Sequence, residues 1–138
     1  MARVLVVDDE HAIRELLRIV FEGEGYDVVT LPHGAGVIPA LDGSEEPCVV
    51  LLDLMMPLVT GWQVCEQLIP REDLLRRHAV IVMTAAYGPD TVCPAPAVTL
   101  LRKPFLIDAV LELVRTIVSR QNITLVPPYQ EEPRVLRA

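Results

Sequence analysis

The stretch CVVLLDLMMPLVTG, residues 48–61, begins as an unbroken apolar run and stops abruptly on Asp53. An apolar run of this length without polar alternation suits a strand covered on both faces. The same pattern recurs elsewhere. Val4–Val7 is followed by Asp8 and Asp9, Val80–Met83 by Thr84, and Val98–Leu101 has Lys103 two residues beyond it. With Tyr26–Thr30 and Val49–Leu52, five strands are expected.

Segments long enough for helices separate these runs. His11–Glu22 places Ile13, Leu16, Leu17 and Val20 on one helical face, with Gly23 as a stop. Gly36–Leu41 reads as a short, poor helix, with Pro39 tolerable only in its first turn. Trp62–Ile69 is a better one, closed by Pro70. Ile107, Val110, Leu111, Val114, Ile117 and Val118 form a long amphipathic stripe near the end. Strands alternating with helices predict a doubly wound α/β fold, a five-stranded parallel sheet with helices on both faces. The domain is expected over residues 1–120, with 121–138 a Pro-rich tail without an output domain.

Between Thr84 and Lys103 the pattern weakens. The segment holds Gly88, Pro89, Pro94 and Pro96, and proline inside a helix costs about 3 kcal/mol. At most one helical turn is therefore predicted there. The apolar sheet face beneath it would then need another cover, which makes this region a candidate homodimer surface.

Composition narrows the function. A chain of 138 residues suits one domain with a full core. No apolar run approaches the roughly 20 residues that span a bilayer, and no secretory leader is recognisable, so the cytoplasm is the expected compartment. The net charge of −7 argues against direct nucleic-acid binding. The basic cluster Arg71, Arg76, Arg77 and His78 is diluted by Glu72 and Asp73 and reads as a solvated helix face. Cys48, Cys65 and Cys93 lack metal-type spacing, and the first two read as small buried hydrophobes.

In a sheet of this class, ligands bind beyond the carboxyl ends of the strands. Asp8, Asp9, Asp53, Thr84 and Lys103 all fall at that edge. Each alone has a plain structural reading, as a cap, a turn former or a surface charge. Two carboxylates ~5 Å apart repel by roughly 3 kcal/mol at an effective dielectric of 20, so their joint placement calls for a compensating cation. Hard oxygen ligands suit Mg²⁺. A lysine and a hydroxyl aimed at the same point suit a transferring phosphoryl group.

At these residues the chain resembles the response-regulator receiver domains of two-component signalling. VLVVDDE matches their first strand and acidic pair, and VVLLDLMMPLVTGW their phosphoacceptor strand and loop. VIVMTA matches the strand bearing the switch hydroxyl, and LLRKPF the lysine–proline turn. The resemblance implies a flavodoxin-like receiver fold in which Asp53 accepts a phosphoryl group. The donor would be a phosphohistidine on a sensor histidine kinase or phosphotransfer protein. It implies Mg²⁺ on Asp9, Asp53 and the Met55 carbonyl, with Asp8 acting largely through water. Lys103 and Thr84 would bind phosphoryl oxygens, Pro104 would follow a cis peptide, and Pro57 and Gly61 would shape the acceptor loop. A kinase-docking face would include Arg14, Leu17 and Arg18. The protein implied is a stand-alone response regulator that signals through protein–protein contacts and catalyses only its own phosphorylation and dephosphorylation.

Two features depart from the pattern: the fourth helix, which receivers normally fit between Thr84 and Lys103, is expected to be absent or reduced to one turn, and one position differs. The family usually carries an aromatic residue three places before the lysine, where this chain has Leu100. Those departures motivate an alternative, a phosphorylation-independent receiver-like binding module. Two other classes fit poorly. A haloacid-dehalogenase-type phosphatase needs a second acid where Met55 stands, and a dinucleotide-binding domain needs glycines where the first turn carries acids.

Overall fold

The computed structural model describes residues 2–85, 98–122 and 135–137. Six strands run β1 Arg3–Val7, β2 Asp27–Leu31, β3 Cys48–Asp53, β4 Ala79–Thr84, β5 Val98–Arg102 and β6 Val135–Arg137. The helices are α1 His11–Gly23, α2 Val37–Asp42, α3 Gly61–Leu68, α4 Glu72–Arg77 and α5 Ile107–Asn122, with a 3₁₀ turn at Gly34–Gly36. The strands form one sheet in the order β2-β1-β3-β4-β5-β6, and every neighbouring pair is parallel.

The bare apolar runs explain this arrangement. Every residue of β3 is buried, and its side chains divide between two cores by strand alternation. Val50 and Leu52 pack on one face with Val37, Leu41, Val64, Leu68 and Leu74 from α2, α3 and α4. Val49 and Leu51 pack on the other with Leu17 and Phe21 of α1 and Val110 and Val114 of α5. The doubly wound fold expected from the sequence is the fold observed.

Several details differ from expectation. On α1 the buried residues are Leu17 and Phe21, while Leu16 is 45% exposed. The inward stripe is turned by part of a residue step, so that Phe21 takes the deep position. The helix runs through Gly23 and ends on Glu24, and the backbone reversal falls on Gly25, at φ +93°. There a side chain would be strained.

The basic cluster is also not uniformly solvated. It forms α4, with Glu72 and Asp73 in the first turn and Arg76 and Arg77 in the last, the polarity a helix dipole favours. His78, however, is buried. Its Nδ1 accepts the Cys48 N–H at 2.9 Å and its Nε2 lies 3.2 Å from the Leu41 carbonyl. A ring that must accept at Nδ1 is the neutral tautomer donating from Nε2.

α3 opens on a capping box in which Thr60 and Gln63 each accept the other's backbone N–H. Cys48 and Cys65 are buried free thiols, as expected. To the five expected strands the structure adds β6, inside the 121–138 segment read as a tail. Its three residues are too few to show a period in sequence. The expected loss of the helix between β4 and β5, the homodimer surface there, and Cys93 all concern residues 86–97, outside the described residues.

Candidate functional site

The carboxyl ends of β1, β3, β4 and β5 bring the expected side chains to one corner. Asp8, immediately after β1, is wholly buried, whereas Asp9 is exposed. Asp53, the last residue of β3, is 4% exposed, and Thr84, the last of β4, is wholly buried. One carboxylate oxygen each from Asp8, Asp9 and Asp53 can be chosen so that all lie within 4.8 Å of one another.

Lys103 enters this cluster from the β5 end. Its Nζ lies 3.1 Å from Asp8 Oδ2 and 3.5 Å from Asp53 Oδ2. The backbone aims it. Lys103 N–H donates to the Thr84 carbonyl at 2.7 Å, and the Lys103–Pro104 peptide is cis. Asp8 is held on its other side, where Oδ1 accepts the Glu10 N–H at 2.9 Å. Arg14 donates to the Asp8 carbonyl at 2.7 Å.

The loop after β3 is equally constrained. Asp53 Oδ1 accepts the Met55 N–H at 3.1 Å, which turns the chain away from the sheet. Gly61 N–H donates to the Leu54 carbonyl at 3.1 Å. A Cβ on Gly61 would stand 2.3 Å from the Asp53 carbonyl oxygen and 2.6 Å from Leu54 Cα, so only glycine fits against the acceptor strand. Leu58 adopts φ +67° and is 84% exposed, a strained tip. Pro57 and Met55 are also exposed, and Leu100 is buried in the core on the β4 side.

Electrostatics make the corner unusual. Burial pushes the Asp53 carboxyl up to about 6; Asp8 and Asp9 add to the rise, and the Met55 N–H and Lys103 oppose it. Burial alone would lower the Lys103 ammonium, but Asp8 as hydrogen-bond partner and the charges of Asp53, Asp8 and Glu10 outweigh it, so its pKa is raised. With all four groups ionised, three carboxylates and one ammonium leave −2 in a largely buried corner. A small divalent cation with a preference for oxygen would neutralise that excess. The donor set therefore fits Mg²⁺.

Asp8, Asp9, Asp53 and Lys103 thus meet at this corner, Thr84 ends the strand beside it, and Leu100 lies in the neighbouring core. Sequence reasoning missed two local partners of Asp8, the Glu10 N–H and the Arg14 guanidinium, and the left-handed backbone at Leu58. The first had a readable signal, because an aspartate commonly accepts the N–H two residues on.

Comparison with known proteins agrees with this geometry. The sequence profile of the response regulator receiver domain matches residues 4–115. Response regulator MprA of Mycolicibacterium vanbaalenii is 36% identical over 124 residues, covering 86% of this chain and 51% of its own length. A Synechocystis protein described as the DNA-binding dual master transcriptional regulator RpaA is 35% identical, covering 88% of this chain and 51% of its own length. The chain spans about half the length of these curated relatives.

Among solved structures, a CheY-like receiver domain protein from Methanospirillum hungatei superposes with a TM-score of 0.76 at 22% identity, over 89% of this chain and 98% of that one. The response regulator TrrA from Thermotoga maritima, solved with Mg²⁺ and BeF, gives 0.70 at 29% identity, over 85% and 99%. The fold and corner are those of a doubly wound signalling module. The chain belongs to the response regulator receiver domain family of two-component systems. Among the described residues, no helix is long and apolar enough to cross a membrane.

Proposed function

We propose that Asp53 accepts a phosphoryl group from a phosphohistidine on a sensor histidine kinase or phosphotransfer protein. The Asp53 carboxylate oxygen attacks phosphorus, the P–N bond to the donor imidazole breaks, and an acyl phosphate remains on Asp53. The observation that carries this reading is the Lys103 ammonium, held between Asp8 and Asp53 at 3.1 and 3.5 Å. A cation fixed beside the acceptor stabilises the negative charge spread over the phosphoryl oxygens in flight.

Mg²⁺ would be held by Asp9, Asp53 and the Met55 carbonyl, and when bound it supplies charge neutralisation for the phosphoryl oxygens. Both Asp8 oxygens already have partners, Lys103 and the Glu10 N–H, which supports a role for Asp8 through water. Thr84 offers its hydroxyl to a phosphoryl oxygen. Pro57, Gly61 and Pro104 keep the acceptor loop and the lysine turn in place. The same residues serve self-catalysed transfer and hydrolysis, with no external substrate.

Signalling would then pass through contacts with other proteins, from a cytoplasmic location. The domain's own acidity disfavours direct contact with nucleic acid, because like charge repels the phosphate backbone. Leu100 favours a second reading, a binding module indifferent to phosphorylation. A buried leucine has no ring or hydroxyl to exchange between surface and interior when Thr84 moves.

Incubation with acetyl phosphate and Mg²⁺, followed by intact-protein mass spectrometry, separates the two. The expected result is a mass gain of one phosphoryl group on the wild type and none on Asp53→Ala. No gain on the wild type supports the indifferent module.

A further inference from the structure

The β5 edge is already occupied. Leu100, Leu101 and Arg102 of β5 pair on one side with Val82, Met83 and Thr84, and on the other with Val135, Leu136 and Arg137. The two ladders differ in length. β4 and β5 share five paired positions, β5 and β6 only three. The β6 ladder is therefore the smallest hydrogen-bonded unit of the sheet, and parallel pairing is the weaker kind per residue. Short peripheral units open at lower free energy than the core around them.

Its position links it to the site. Arg102, opposite Arg137, directly precedes Lys103, whose ammonium contacts Asp8 and Asp53. On its far side, the β5 terminus is tied to β4 by Lys103 N–H on the Thr84 carbonyl. The last ladder position of β6 is thus one residue from the lysine that senses charge on Asp53. Residues 123–134 tether the strand to α5, so a released segment stays near its own edge and can pair again.

We propose that Val135–Arg137 is a releasable cap on the β5 edge, displaced when Lys103 is drawn onto a phosphoryl group at Asp53. In the resting chain the cap occupies the backbone groups that an exposed edge strand would offer to another chain. Loading the acceptor opens that edge. The cap is an autoinhibitory contact, and its coupling to the site rests on the reading of Asp53 as phosphoacceptor.

Hydrogen exchange on the full chain tests both halves. Successive residues of a strand point their N–H groups to opposite sides, so Val135→Pro combined with Leu136→Pro removes one donor facing each way. Lys103 N–H faces β4, so Leu100 and Arg102 turn theirs to β6, and this double variant is expected to exchange those two amides about tenfold faster than wild type, with Leu101 and α1 unchanged. Unchanged exchange at Leu100 and Arg102 would overturn the cap.

In the wild type, beryllofluoride with Mg²⁺ is expected to speed exchange of 135–137 about threefold or more over Mg²⁺ alone, and Asp53→Ala abolishes the effect. Loading is read independently by the ¹⁹F resonance of bound beryllofluoride. A bound resonance with unmoved exchange overturns the coupling and leaves the phosphoacceptor standing. With no bound resonance, the acceptor reading falls and the coupling falls with it.

Discussion

At Asp53 the fold works against itself. The carboxyl is pushed up to about 6, first by burial and then by its acidic neighbours. A carboxyl whose folded pKa lies above its unfolded value contributes most at low pH and costs stability as pH rises through 6. Asp53→Asn is therefore expected to raise the unfolding free energy by about 1–3 kcal/mol at neutral to alkaline pH without metal. The gain should shrink as pH falls from about 6 to about 4 and vanish below about pH 3, where both states of the wild type are protonated. Added Mg²⁺ should narrow the gap, stabilising the wild type by about 1.4 kcal/mol at ten times its Kd and the variant by little. Denaturant titrations of the two proteins, with and without Mg²⁺, check all three signs.

Gly61 gives a steric counterpart. Its absent Cβ leaves room for the Asp53 carbonyl, so Gly61→Ala forces β3 and α3 apart. A loss of about 1–3 kcal/mol is expected, with slower phosphorylation because the acceptor loop moves. Wild-type stability in this variant would contradict the close approach.

His78 follows the solvated face of α4 but is itself a buried connector between Cys48 and Leu41. Burial is the main cause that holds its pKa below the usual histidine value, and the Arg77 charge adds to it, while the Leu41 carbonyl, Asp42 and Asp73 act the other way. The unfolded chain thus takes up this proton first. The stability that neutral His78 contributes is present above about pH 6.5 and falls as pH drops below it. Protonation would also set an N–H against the Cys48 N–H that Nδ1 now accepts. Denaturation of wild type and His78→Gln from about pH 7.5 to about pH 5.5 should show the steeper loss in the wild type. Parallel curves would contradict it.

Among the elements, legibility followed length and burial. β1, β3 and β4 stand out as bare apolar runs because both of their faces are covered. α5 stands out because its stripe persists over four turns. α4 and β6 are six and three residues long, below the span at which a period can be counted. α1 was legible as a helix but not in its rotation, since Leu16 and Phe21 both fit an apolar stripe and only packing chooses between them. His78 illustrates a different limit. Its partners, Cys48 and Leu41, are backbone groups 30 and 37 residues away, and no residue type marks them in advance.

The corner as a whole was more legible than the elements that build it. Asp8, Asp9, Asp53, Thr84 and Lys103 carry charge or hydroxyls at the ends of runs that otherwise exclude them. A parallel sheet brings such ends together at one edge whatever the helices between them do. The local partners that orient them were less visible, because N–H groups and backbone turns carry no residue-type label.

The claim beneath this account is that three carboxylates and one ammonium, drawn from three strand ends, form a single receptor for a cation and a phosphoryl group. A crystal structure grown with Mg²⁺ and beryllofluoride tests it most directly. The account predicts the cation on Asp9, Asp53 and the Met55 carbonyl, beryllofluoride on Asp53, and Lys103 Nζ within hydrogen-bonding distance of a fluoride. An empty corner, or Lys103 turned into bulk solvent beside an occupied one, would contradict it.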